Sequence, residues 1–128
     1  MAITSTFISN PVKTIIVNQT ASTSASGVGD NNVAGGPCYL ISATIDNSSY
    51  GTIVYTKIAD LTSFTAGTDT AGVILRGKAS ASKTYTFHPP LYFINGLSFA
   101  TTTTAGQAGT TAPSTPPAVT LVLSTSAS

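Results

Sequence analysis

The run Cys38-Tyr39-Leu40-Ile41-Ser42-Ala43-Thr44-Ile45-Asp46 decides the fold class of this chain. Within it apolar and polar side chains alternate. Ile41, Ala43 and Ile45 share one face and Ser42, Thr44 and Asp46 the other, the period-two signature of a strand with one side buried. Two other runs repeat the pattern. In residues 83–88, Tyr85 and Phe87 oppose Thr84, Thr86 and His88, and in residues 118–124, Val119, Leu121 and Leu123 point inward. No segment keeps apolar residues three and four apart over several turns, Glu is absent, and threonine and β-branched residues dominate, all of which disfavour helix.

Working outward, strands are expected at 12–19, 51–59, 72–78 and 96–103, with 3–8 a further candidate near the N-terminus. Turn signals separate them: Asp46 to Gly51, Ala66 to Asp69, and Asn95-Gly96. Seven or eight short antiparallel strands in one domain over residues 1–128 predict an all-β fold, a single jelly-roll-like β-sandwich; the strand pattern itself is common to sandwiches and barrels. Residues 20–36 and 104–117, rich in Gly, Pro and small residues, are expected to be long loops. Residues 2–10 read as a flexible arm, and the terminal STSAS as a tail that frays.

A chain of 128 residues buries roughly two-thirds of its unfolded surface, enough for a core without disulfides. Hydrophobic residues make up 41% and charged residues 7%, so this is not the highly charged composition of a disordered chain. The basic inventory, Lys13, Lys57, Arg76, Lys78 and Lys83, is spread out, and the net charge is +1, which leaves no footprint for a phosphate backbone. Nucleic acid is therefore not an expected partner. Charge this low removes the repulsion that keeps copies apart, which points to association as the normal state. No stretch approaches the ~20 apolar residues of a membrane span, and the start, MAITSTF, lacks the basic and apolar regions of a signal peptide. No membrane contact is expected, and the sequons at Asn18 and Asn47 read as chance in a Ser/Thr-rich chain.

The chemistry-bearing residues are few: Cys38, His88 and four aspartates, Asp30, Asp46, Asp60 and Asp69. A Cys38–His88 nucleophile pair would need a setting that lowers the thiol pKa, and none is visible; Cys38 reads as a small buried hydrophobe and His88 as a strand-end residue. Gly29-Asp30-Asn31-Asn32 has too few carboxylates for a calcium loop and reads as a turn. The glycines at 27, 29, 35 and 36 precede no phosphate-binding helix. The expectation is a non-enzyme with no cofactor and no metal. A hydrolase would require His88 to meet an aspartate and a nucleophile in a cleft.

From residue 44 onward the order of signals resembles small virion proteins of tailed bacteriophages. The elements are an Asn-bounded turn, Tyr55-x-Lys57-x-x-Asp60, Thr65-Ala66-Gly67-Thr68, the apolar Val73-Ile74-Leu75, and Pro89-Pro90 followed by Phe93-Ile94-Asn95-Gly96-Leu97-Ser98-Phe99. The segment 68–72 and the sparse basic residues Arg76 and Lys78 depart from that pattern. The resemblance implies a capsid cement or decoration protein on the outer capsid surface of a virion assembled in the host cytoplasm. Its implied partners are the major capsid protein and itself, as a homotrimer. Contacts are expected from the arm (Phe7), the first long loop (Asp30, Asn31, Asn32) and the second (Gln107, Pro113). The alternative is a carbohydrate- or receptor-binding domain of a fibre, which would gather exposed aromatics such as Tyr50, Phe64 and Tyr92 on one face.

Overall fold

The computed structural model describes residues 14–19, 28–111, 113–115 and 117–124, with 14–19 and 28–30 described by their backbone. The protein is all-β, with no helix among the described residues. Its strands are β1 (Thr14–Gln19), β2 (Val28–Asp30), β3 (Cys38–Asp46), β4 (Val54–Asp60), β5 (Val73–Gly77), β6 (Ser82–Phe93), β7 (Leu97–Thr102) and β8 (Ala118–Ser124). Two antiparallel three-stranded sheets, β8-β3-β6 and β7-β4-β5, are each flanked by a strand described by backbone, β1 beside β8 and β2 beside β7. The pairing is nested: β1 with β8, β2 with β7, β3 with β6 and β4 with β5, to which β3–β8 and β4–β7 are added.

Strands at 38–46 and 118–124 stand where the alternation placed them, and the expected strand at 3–8 lies outside the described residues. Three differences have physical causes. Opposite β8, Leu40 pairs with Leu123 and Ser42 with Val122, so Ile41 is an extra residue, a bulge. The bulge reverses the side-chain parity, so that Cys38, Leu40, Ala43 and Ile45 are buried while Ile41, expected on the inward face, is only half-buried. On the other side of β3, residues 87–90 of β6 lie opposite this shift and β6 resumes its pairing at Leu91. Pro89 and Pro90 have no N–H to give, and an edge strand with a local break tolerates them, which is why β6 continues past His88. Thirdly, β2 lies inside the first expected loop, with Asp30 paired to Phe99.

One apolar cluster draws on both sheets: Leu40, Ala43 and Ile45 from β3, Leu121 and Leu123 from β8, and Val54, Ile58, Leu75 and Phe99 from β4, β5 and β7. The approach is close at Gly77, where an added Cβ would sit 2.6 Å from a methyl of Val54 and 2.7 Å from one of Ile45. Thr56 and Thr101, both fully buried on paired strands, satisfy each other through a hydroxyl bond of 2.9 Å.

Candidate interaction surface

The outer face of β7-β4-β5 is covered by two loops, and charged or amide side chains fasten them. Lys57 projects from β4 with 0% exposure and donates to the carbonyls of Gly106 (2.7 Å) and Gly109 (2.9 Å), pinning the β7–β8 loop across the sheet. Burial holds its pKa below the ordinary lysine value. Gln107, in the same loop, clamps Ala71 from both sides: its Oε1 accepts from Ala71 N (2.9 Å) and its Nε2 donates to Ala71 O (3.0 Å). Asn31 Oδ1 accepts from Phe64 N (3.0 Å). Phe64 and Ala71 close a second apolar cluster with Ala59, Ala66 and Ala100, so Asn31 and Gln107 hold the two ends of one lid.

The β6–β7 turn has its own fastener. The Asp60 carboxylate, at the end of β4, accepts from the backbone N–H groups of Ile94 (3.1 Å), Asn95 (2.8 Å) and Gly96 (3.3 Å). Gly96 has φ +145°, and a Cβ there would lie 2.5 Å from Asn32 Oδ1, so only glycine lets the turn close against Asn32. Asn32 itself has φ +46° and donates its backbone N–H to Ser98 Oγ (2.9 Å).

The residues expected to contact partners thus divide. The side chains of Asn31 and Gln107 hold the protein's own loops, Asn32 is wedged against the β6–β7 turn, and Pro113 is buried. Asp30 sits in β2, and Phe7 lies outside the described residues. Sequence reasoning did not assign roles to Lys57 and Asp60 beyond the resemblance; the signal was there, two isolated charges in the apolar strand Val54–Asp60. Cys38 and His88 are not brought into one environment. Cys38 is fully buried, and that burial raises its thiol pKa, whereas His88 is exposed on β6.

Among the described residues, the face left open belongs to the other sheet. Tyr92 (52% exposed) and Ile94 (59%) are the exposed large hydrophobics among the described residues, Tyr92 near the C-terminal end of edge strand β6 and Ile94 in the turn just beyond it. Tyr92 pairs with Tyr39 across the ladder, ring centroids 4.6 Å apart and planes tilted 30°. Further along, Thr44 and Thr84 join hydroxyls at 3.0 Å on a Ser/Thr surface. Of the aromatics a fibre-tip reading would gather, Phe64 is buried and Tyr50 half-buried, at the opposite end of β3 from Tyr92.

The structure therefore defines an all-β protein of two antiparallel sheets, one covered on its outer face by fastened loops and one carrying an open aromatic and hydroxyl-rich face. No family model, curated protein or solved structure matches the chain.

Proposed function

We propose that the two sheets form a β-sandwich of jelly-roll topology and that the protein is a non-enzymatic virion structural protein of a tailed bacteriophage. In this reading it is a cement or decoration protein that binds the major capsid protein on the outer capsid surface as a homotrimer. The observation that carries it is the nested pairing of first strand with last, second with seventh, third with sixth and fourth with fifth. That is one long antiparallel hairpin wound into two sheets, the jelly roll that viral capsid and lectin domains use. Fold alone supports this by analogy, and the site must supply the rest.

Two features of the site agree with a structural role. The described carboxylates are spent on backbone: Asp46 on Ser48, Asp60 on the 94–96 turn, and Asp69 on Thr65 N (2.8 Å). The Tyr39, Tyr92 and Ile94 patch offers aromatic anchors of the kind that dominate protein contacts, at a sheet edge where a ladder can extend onto another chain.

Light scattering of the purified protein, followed by sedimentation with shells stripped of accessory proteins, tests the proposal. A trimer that co-sediments and raises the thermal resistance of the shells is expected, with Tyr92→Lys and Ile94→Asp abolishing co-sedimentation while leaving the melting temperature unchanged. A species that never sediments with shells overturns it.

A further inference from the structure

The β6–β7 turn holds Asn95-Gly96, the one Asn-Gly pair in the chain. Such a pair carries its own reaction, because no side chain on the glycine keeps its backbone nitrogen away from the asparagine Cγ. Asn95 is exposed, so water reaches its carboxamide. The fold cannot dispense with the glycine, since Gly96 has φ +145° and a Cβ there would lie 2.5 Å from Asn32 Oδ1. Instead, one residue restrains both reacting groups. The nucleophile, Gly96 N, donates its N–H to Asp60 Oδ1 (3.3 Å), and the leaving group, Asn95 Nδ2, donates to the Asp60 carbonyl (3.4 Å). Asn95 N also donates to Oδ1 (2.8 Å), which anchors the residue itself. A carboxylate facing the Gly96 N–H disfavours its ionisation, because a second negative charge would form against the first.

We infer that Asn95-Gly96 is a self-modification site at which the turn deamidates, with Asp60 as the restraint that sets its rate. In the reaction solvent hydroxide takes the Gly96 N–H proton and the nitrogen bonds to Asn95 Cγ. The Cγ–Nδ2 bond breaks and ammonia leaves, taking its proton from water. A water molecule then opens the succinimide at either carbonyl to give aspartate or isoaspartate. Both bonds on the reacting groups are longer than the usual limit of about 3.2 Å, so Asp60 slows the reaction without forbidding it. Either product sets a second carboxylate beside that of Asp60, and isoaspartate also adds a methylene to the backbone. The N–H groups of Ile94, Asn95 and Gly96 then no longer converge on Asp60. Ile94 lies in the same turn, so conversion changes the charge and shape of the exposed patch it forms with Tyr92. The inference goes beyond the decoration reading and does not depend on it.

The test is storage of the full chain in warm neutral buffer, folded and in urea, with conversion followed by peptide mass mapping and isoaspartate by enzymatic methyl labelling. In urea Asn95 should convert ahead of every other asparagine. In the folded parent it should convert at least about ten-fold more slowly, a barrier difference of about 1.4 kcal/mol. This comparison needs no variant to fold. Asp60→Asn keeps the size of the side chain and removes its charge, and should recover most of that factor. Val119→Ala weakens the core at the other end of the sheet and should keep the parent rate, which separates the local restraint from general destabilisation. Amide exchange at Ile94, Asn95 and Gly96 should be faster in the converted protein. Equal rates in the folded and urea samples overturn the inference, as do no conversion at Asn95 in urea, a parent rate in Asp60→Asn, or equal acceleration by Val119→Ala. None of these outcomes bears on sedimentation with shells.

Discussion

Strands β6 and β7 follow one another in the chain, separated by the short turn at 94–96, yet their environments are opposite. All six residues of β7, Leu97-Ser98-Phe99-Ala100-Thr101-Thr102, are buried, while along Ser82–Phe93 only Phe93 is. Hydrophobicity does not explain it. β6 carries Tyr85, Phe87, Leu91, Tyr92 and Phe93, whereas β7 has two large apolar side chains among serine, alanine and threonine. The difference lies in what covers the second face. Over β7 and β4 the 61–72 and 103–111 loops are tied down by Lys57, Gln107 and Asn31, and small residues such as Ala59 and Ala100 let those loops approach. β6 is an edge with no loop over it among the described residues, and its lysine and prolines are features that deter uncontrolled strand pairing. Burial in this fold is thus a property of loop placement, and loop placement is controlled by a few polar side chains.

The shared core should yield the largest effect. Leu121→Lys places an unpaired charge where the side chain is now fully buried, a penalty of several kcal/mol against a total stability of about 5–15 kcal/mol. Circular dichroism should show loss of the cooperative melt, and a variant melting like the parent would remove Val119, Leu121 and Leu123 from the core. Next, Phe99→Ala on β7 should cost about 3–5 kcal/mol in urea unfolding, well above the cost of Phe87→Ala on half-covered β6. Equal costs would break the contrast between the strands.

The fasteners come third. Asp60→Ala strips the acceptor from three backbone N–H groups and should cost about 2–3 kcal/mol, with faster amide exchange at Ile94, Asn95 and Gly96. Lys57→Ala should release residues 103–111 to limited proteolysis, and a loop cut no faster than in the parent would show that Lys57 does not hold it. Lys57 also sharpens the comparison through pH. Its folded pKa is lowered by burial, so between that value and the ordinary lysine pKa of about 10.4 the unfolded chain holds a proton the folded protein has shed. Stability therefore rises with pH across that alkaline window and is indifferent to this group below it. In chemical unfolding from pH 8 upward, stability should change more favourably with rising pH in the parent than in Lys57→Met, since the raised pKa of the buried Cys38 thiol contributes an opposing fall to both. Smallest of all, Thr86→Lys on the exposed face of β6 should change stability by no more than about 0.5 kcal/mol, so any change in self-association it causes reports the surface alone.

Much of the strand layout was legible because a one-sided strand writes its period into the sequence: Cys38–Asp46 and Ala118–Ser124 are bounded where the alternation begins and ends. β7 was legible as a strand but not as one buried on both faces, since Ser98, Ala100 and Thr102 look like solvent-side residues until a loop lies on them. Asn31 and Gln107 looked like contact residues of long loops. Their amides are in fact spent on Phe64 and Ala71, residues more than 30 positions distant, a pairing no local pattern encodes.

By itself the sequence determined that this protein is all-β, where most strands run, and that its few charges are scattered, because these follow from local alternation and composition. Tertiary structure alone decided the bulge at Ile41, the nested pairing of the strands, the burial of Lys57 under the second loop and the fixing of the Asn47 amide by the carbonyls of Thr52 and Lys78. Each of these depends on which distant backbone group meets a given side chain, and hydrogen bonds made across tens of residues leave no periodic trace in the chain that makes them.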